Sequence, residues 1–401
     1  MKKKIVWISP HLPYDNVKHA GGQIHNYYIN KLIDSDRFDV RLISFYWPYE
    51  IDDFTLNRRI PCDLFCYYDK GIKKFLRNAM DANRLLNPLD KYGNQKTLYN
   101  EVCIIKALKK YMKEGFVPDV IILQWTRVVL SIEKIKKIFP SSKIVSIEED
   151  VLLLSLKRKI ELCKGFSAKI AELRFRNLER EEIKALLKSD LVITNNHKDE
   201  NILKQYGVSE NVRVWAPFFH LCSNGKNQYS NVILFYGNMS RPENYMAVQW
   251  IIDKVLPLLE GEDYVFKIIG ANPPDFISNC SNDKVQVLGY VSDIESVFKN
   301  SLCMIAPLLL GAGIKIKVLE IMSASVPVLT NEIGIEGIPA VDGQDFIACK
   351  TPEEYAEGIK RLLNRSIDPK LMGDSAKKMI LKNFDYTKSA GEFVEWISSL
   401  G

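Results

Sequence analysis

The stretch Pro307-Leu308-Leu309-Leu310-Gly311-Ala312-Gly313-Ile314-Lys315-Ile316-Lys317-Val318-Leu319-Glu320-Ile321-Met322 decides how this chain is read. The residues before it, Cys303 to Ala306, form a short apolar run of the kind that makes a buried strand. Within it the apolar residues then recur at helical spacing. Its glycines mark a tight turn, so the segment reads as the end of a strand, a Gly-rich loop and a helix. Lys315 and Lys317 fall near the helix amino terminus, where a cation opposes the helix dipole at a cost of up to about 1 kcal/mol. Stability does not explain them; an anionic ligand does. At about 100° per residue, Glu320 shares a helix face with Lys317 and not with Lys315. One ammonium for a phosphate and one carboxylate for hydroxyls then lie on one side. The plain alternative is an i,i+3 ion pair on a solvated face.

Working outward, short β-branched runs alternate with longer helical stretches along the whole chain, the pattern of βα units and a mostly parallel sheet. The strand candidates are Ile5 to Ser9, Val40 to Phe45, Val120 to Leu123, Ile144 to Ile147 and Leu191 to Thr194 in the first half. In the second they are Val232 to Tyr236, Val265 to Ile269, Val285 to Leu288, Cys303 to Ala306 and Val326 to Thr330. The fold class is therefore α/β, with two doubly wound, Rossmann-like domains in series. A turn-rich stretch from Trp215 to Asn227 lies at the changeover and is taken as the linker. This gives domains 1–216 and 217–380, with a final helical segment 381–401.

Composition agrees. With 401 residues, 47% hydrophobic and 26% charged, the chain has enough apolar content for two or three cores. That excludes a disordered, collagen-like or disulfide-stapled class. The longest uncharged stretch of the apolar C-terminal part, Asn300 to Ile314, is short of the ~20 residues that span a bilayer and contains Pro307. Behind Lys2-Lys3-Lys4 the apolar run ends before Pro10, too soon for a signal segment, so the reading predicts a cytoplasmic protein. Eight scattered cysteines read as buried thiols, and the Cys62 to Cys66 pair lacks the further ligands of a zinc site. Residues 1–216 carry a net charge of +11 and residues 217–401 one of −5. The basic half is a candidate for an anionic acceptor or for peripheral contact with an acidic membrane. Lys157 to Lys188 reads as a long basic helix with Leu162, Phe166, Ile170 and Leu173 as its packed face.

In doubly wound sheets ligands bind beyond the carboxyl ends of strands. Two further loops meet that condition. Ala20-Gly21-Gly22-Gln23 precedes a helical pattern, and its glycines would let backbone N–H groups approach a phosphate. Gly237-Asn238-Met239-Ser240-Arg241-Pro242-Glu243-Asn244 follows a strand and holds Arg241, a bidentate partner for phosphate. Glu148-Glu149-Asp150 follows another strand and offers carboxylates as base or acceptor-orienting groups, with a helix-start cluster as the alternative. His11, His19 and His25 lie near the Gly-Gly loop, and His25 is placed to touch an acceptor.

At the Gly311 to Glu320 motif the sequence resembles the group 1 (family 4) glycosyltransferases, in the branch reading G-A-G-x-K-x-K-x-L-E. Pro327-Val328 and Gly334-Ile335-Glu336-Gly337 continue the likeness, as does Leu288-Gly289-Tyr290-Val291-Ser292-Asp293. The resemblance implies a GT-B fold, two Rossmann-like domains facing a cleft, with the final helix returning to the first domain. It also implies a retaining transfer from a nucleotide diphosphate sugar to a glycan or lipid-linked glycan, with no bound metal, no cofactor and no nucleic-acid partner. Carried over, Glu320 holds the donor ribose, Lys317 with Gly313, Lys315 and Arg241 faces the diphosphate, and the backbone at Tyr290 and Val291 reads the base. Gly21 and Gly22 approach the diphosphate from the other domain; Glu149, in place of the family's His, is the chain's own candidate catalytic carboxylate on the acceptor side. The chain departs from the family in three places. The first Glu of E-x7-E falls on Ala312; the Gly-Arg…Lys pair becomes Gly237-Asn238…Asn244; and Glu148-Glu149-Asp150 stands where a His is common. An epimerase or hydrolase on the same scaffold, or a catalytically weak nucleotide-sugar-binding subunit, are the alternative functions. A nicotinamide oxidoreductase is disfavoured, because no complete G-x-G-x-x-G follows a strand.

Overall fold

In the computed structural model the described residues are 2–15, 17, 19–67, 90, 92, 95–149, 156–157, 160, 164–208, 210–223, 225–309 and 313–401. They divide into two compact units, Met1–Phe218 with Tyr386–Gly401, and Phe219–Asp385.

The first unit is built on seven parallel strands: β1 (Lys3–Ser9), β2 (Phe38–Tyr46), β3 (Cys62–Cys66), β4 (Val120–Gln124), β5 (Lys143–Glu148), β6 (Leu191–Thr194) and β7 (Val212–Val214). Their order is β3-β2-β1-β4-β5-β6-β7, so the direction of winding reverses between β1 and β4. Ile5, Val6, Trp7 and Ile8 of β1 are all fully buried, because a parallel sheet is covered by helices on both faces. The strands missed from sequence, β3 and β7, are the two edges. β3 reads Cys-Asp-Leu-Phe-Cys and is half-buried throughout, and β7 has only three residues, so neither carries the apolar run of a central strand. Cys62 is half-buried, and burial with the neighbouring Asp63 pushes its thiol up to about 12.

The expected linker is pinned rather than free. Trp215 is buried, stacks on Tyr28 at 3.8 Å between ring centroids and donates to Asn195 Oδ1 at 2.6 Å. The aromatic residues of that stretch anchor it to the first core, and the unit boundary falls after Phe218. The C-terminal segment is also not one helix from 381. Pro369–Asn383 and Tyr386–Ser399 are separate helices, and only the latter belongs to the first unit. There Ser389 Oγ accepts from Tyr28 Oη at 3.0 Å and from the Ala216 N–H at 2.9 Å, while Phe393 packs on Trp7, Tyr28 and Trp215. Lys3 Nζ donates to the Ser398 carbonyl at 2.6 Å, placing a cation at the negative end of the helix dipole.

The long basic helix spans Gly165–Leu186. Its buried stripe is Leu178, Glu182 and Ala185, whereas Leu173 of the expected face is exposed. Leu162 and the Phe166 side chain lie outside what is described. Only the C-terminal half of this helix packs closely on the sheet, which sequence periodicity does not reveal. No described helix is long and apolar enough to cross a membrane.

The second unit has six strands: β8 (Val232–Tyr236), β9 (Val265–Ile269), β10 (Val285–Gly289), β11 (Cys303–Ala306), β12 (Val328–Thr330) and β13 (Ile347–Ala348). They are parallel in the order β10-β9-β8-β11-β12-β13, reversing between β8 and β11. The two-residue β13 is again an edge that no sequence pattern announces.

Gly270, after β9, takes a φ of +152°, and a Cβ built on it would lie 1.8 Å from the Gly237 carbonyl oxygen. Gly261 has a φ of +86° and open space around it. Gly270→Ala should therefore destabilise by clearly more than Gly261→Ala, for which only the left-handed backbone cost of about 1–2 kcal/mol applies. Urea unfolding of both variants checks this ranking.

Candidate active site

Ligands in open α/β sheets gather at the carboxyl ends of the strands where the order reverses. In the second unit those ends are β8 and β11. The loop after β8 leads into the helix Pro242–Trp250, and the loop after β11 leads into the helix Ile316–Ser323. The two sequence motifs with the most chemistry therefore meet at the reversal. Gly311 and Ala312 lie outside the described residues.

Lys317 is in the first turn of its helix. Its ammonium donates to Asn244 Oδ1 at 2.8 Å and lies 4.7 Å from the centre of the Phe235 ring. Asn244 is buried, and its Nδ2 donates to the Asn238 carbonyl at 2.7 Å, which ties the two loops together. The amide reaches this position because residue 237 is glycine: a Cβ there would sit 2.9 Å from Asn244 Nδ2. Asn244 is thus a positioning residue in the place where the family pattern has a cation.

Burial lowers the Lys317 ammonium to about 7; nearby Lys315 and Arg241 push the same way, and Glu243 only partly offsets them. Glu243 is itself taken by Arg241, whose guanidinium lies 2.6 Å from its carboxylate. Among the described residues no carboxylate pairs directly with Lys317, Glu320 included, so the plain i,i+3 ion pair is not formed.

Glu320 is buried on the same helix and accepts from the Tyr236 hydroxyl and the His220 N–H. Burial raises its carboxyl to about 7, against the pull of those donors and of the His220 ring. Tyr236, the last residue of β8, is pushed far above the ordinary phenol range by burial and by Glu320. Lys315 does not face outward as a second phosphate ligand. It occupies the position just before the helix, donates to the Gly313 carbonyl at 2.5 Å and lies 3.6 Å from buried Glu336, so it fastens the Gly-rich loop. Gly313 takes a φ of +70°, which glycine tolerates best. Tyr290 is 78% exposed just past β10, with Val291 half-buried beside it, and Asp293 caps the next helix by accepting from the Ser296 N–H.

In the first unit the reversal lies between β1 and β4. Gly21 and Gly22 begin the helix Ala20–Asp34, but their bare Cα faces are already occupied. A Cβ on Gly22 would lie 2.2 Å from Val17 Cγ1, and one on Gly21 would lie 2.9 Å from Trp125 Cζ2. Close packing of the helix start thus explains both glycines. Trp125, which sequence reasoning passed over, follows β4 with a φ of +67°, a conformation a bulky side chain rarely adopts. Its ring packs against His11 at 4.9 Å and His25 at 6.0 Å. His25 is fully buried and stacked on Trp7 at 5.3 Å. Burial and the neighbouring His11 and His19 hold it well below the ordinary imidazole range. It is a neutral core residue rather than an acceptor contact. Glu149 is buried too: Gln124 Nε2 donates to one carboxylate oxygen at 2.6 Å and Asn195 Nδ2 to the other at 3.0 Å. It lies in a hydrogen-bond chain running from Trp7 through Gln124 and Asn195 to Trp215. Asp150 lies outside the described residues.

Residues 230–365 match the family model described as glycosyl transferases group 1. An uncharacterized 44.6 kDa protein in the cps region of Klebsiella pneumoniae is 25% identical over 167 residues, 39% of this chain and 43% of that one. A trehalose synthase of Pyrococcus horikoshii is 24% identical over 42% of this chain and 36% of its own. The chain thus matches less than half the length of either curated relative. HepE of Anabaena in complex with UDP superposes with a TM-score of 0.67 at 14% identity over 100% of both chains. Sucrose-phosphate synthase of Thermosynechococcus elongatus gives 0.67 at 13% identity, over 100% of this chain and 99% of that one.

Lys317 and Glu320 titrate in opposite senses. The folded state keeps Lys317 less protonated than the unfolded chain between about pH 7 and 10.5, so stability from this group rises with pH across that window. Glu320 binds protons more readily when folded, so its contribution falls between pH 4.5 and about 7. Lys317→Met should remove the first slope. The unfolding free energy of the natural protein relative to the variant should climb from pH 7 to 10 in matched denaturant titrations. The chain has the α/β architecture of the GT-B glycosyltransferases, and its second unit carries the group 1 glycosyl transferase pattern.

Proposed function

We propose that this protein is a retaining, metal-independent glycosyltransferase that moves a hexose-type sugar from a nucleoside diphosphate sugar to a glycan or lipid-linked glycan. The observation that carries the reading is Lys317. A buried ammonium among like charges, with no carboxylate partner among the described residues, is stable chiefly in the presence of an anion, and a diphosphate supplies one.

In the transfer the acceptor oxygen bonds to the anomeric carbon as the bond from that carbon to the diphosphate oxygen breaks, and the acceptor hydroxyl passes its proton to the departing phosphate. Negative charge gathers on the departing phosphates. Lys317, together with Arg241 and the N–H groups of the first turn of Ile316–Ser323, meets that charge, an effect that is commonly worth several kcal/mol. Glu320, held by Tyr236 and His220, offers the carboxylate for the donor ribose hydroxyls. Exposed Tyr290 and the adjacent backbone are free to meet the base. The bound UDP in the HepE structure is consistent with this donor class. The +11 charge of residues 1–216 supports docking at an acidic membrane surface, which suits a lipid-linked acceptor.

Nucleoside diphosphates are screened by thermal shift, since a ligand at 100 times its Kd stabilises by roughly 2.7 kcal/mol. One should bind, and its affinity should weaken above about pH 7, where free Lys317 loses its proton. Lys317→Met and Glu320→Gln should each lower turnover or donor affinity ten-fold or more without lowering the melting temperature of the unliganded protein. Full activity in both variants would refute the assigned roles.

A further inference from the structure

A cavity of about 260 Å³ is lined by residues of the first unit. Its walls come from residues just past the carboxyl ends of four neighbouring strands: His11 after β1, Trp47 after β2, Tyr67 after β3 and Arg127 after β4. Gln95 and Asn100 add amide groups. This is the end of the sheet, beside its reversal, where doubly wound folds hold ligands. The volume is below the range of about 300–1,000 Å³ usual for drug-sized ligands, which suits one small ring.

The lining is specific in character. Trp47 and Tyr67 sit 5.3 Å apart between ring centroids, and Tyr67 is fixed by donating its hydroxyl to the Pro10 carbonyl at 2.8 Å. Two aromatic faces beside amides match a pyranose, which has apolar C–H faces and a rim of hydroxyls. The charge of the cavity is one-sided. Among the described residues the one carboxylate on its wall, Glu101, is buried and ion-paired with both Lys96 and Lys134. Burial pushes that carboxyl up, yet the two ammonium groups outweigh it and hold it ionised, below its ordinary range. No carboxylate among the described residues pairs with Arg127. His11 adds no charge: burial, His19 and Arg127 lower it to about 3. Arg127 is therefore an exposed guanidinium with no carboxylate partner among the described residues, on a wall where the one described acid is paired with two ammonium groups.

We infer that this cavity receives one sugar ring of the acceptor that bears an anionic group, carboxylate or phosphate, with Arg127 as counter-ion and Trp47 and Tyr67 as the apolar wall. The inference rests on reading the first unit as the acceptor-holding part of a transferase. A planar guanidinium accommodates either anion in bidentate fashion, so the shared chemistry is the negative charge on a pyranose.

The test uses the full chain and ligand-observed NMR titrations with glucuronic acid, galacturonic acid and glucose 6-phosphate against glucose and galactose. At least one anionic sugar should bind ten-fold or more tightly than its neutral parent, and the pair that discriminates tells carboxylate from phosphate. Arg127→Met should erase that preference and Arg127→Lys should keep part of it, while Trp47→Ala should weaken charged and neutral sugars alike. UDP binding and the melting temperature should not change in the Arg127 variants. Equal binding of charged and neutral sugars, or a preference that survives Arg127→Met, overturns the inference. Failure of every nucleoside diphosphate to bind would instead count against the transferase reading and leave the sugar result to stand by itself.

Discussion

A charged amine has been taken out of water at Lys317 without a carboxylate to receive it, and the second unit is arranged around that constraint. The ammonium is held by one neutral amide and one aromatic face, Asn244 and Phe235, neither of which neutralises it. Asn244 is in place only because residue 237 has no side chain, and Gly237 in turn is approached closely by Gly270. Gly237 and Asn244 on the connection after β8 and Gly270 after β9 therefore serve one amine. Such convergence on a group that weakens the folded state in the absence of ligand is the pattern expected of a binding site rather than of a core.

The first unit solves a different problem with the same sheet order. Its reversal between β1 and β4 is filled by Trp125 in a left-handed conformation, packed against Gly21, His11 and His25. Beneath it a buried chain of polar groups from Trp7 to Trp215 satisfies Glu149 completely. Glu182 is the counterpart on the long basic helix. Burial raises its carboxyl to about 8, and Thr126 donates to it at 3.4 Å, so near neutral pH it is mostly protonated and compatible with the core. These acids explain why an acidic run after a strand need not face a substrate.

Much of this was legible in the sequence, for physical reasons that also mark the limit. Central strands such as β8, β9 and β11 are buried on both faces, so their apolar runs are unbroken and their bounds were read as observed. Edge strands β3, β7 and β13 have one open side, few residues and mixed polarity, and were missed. Helical spacing placed Lys317 and Glu320 on one face, but spacing does not say what each side chain meets. Lys317 is engaged by a residue 73 positions away, and Lys315 is turned back to its own loop. The paired glycines read as a phosphate cradle because spacing does not show what a bare Cα meets: Gly21 lies against Trp125, and Gly22 against Val17 and His19.

The two reversals differ in how their charge responds to acidity, and this separates the chemistry each unit is suited to. In the second unit the charges on Lys317 and Glu320 both change near neutrality, because burial has brought an amine down and a carboxyl up to about 7. Binding an anion there is coupled to proton uptake. In the first unit burial and neighbouring histidines hold His11 and His25 below the ordinary imidazole range, and the exposed guanidinium of Arg127 carries the positive charge. A diphosphate that must be gripped and then released suits the titrating site. A sugar ring recognised by a guanidinium and an aromatic wall suits the first unit.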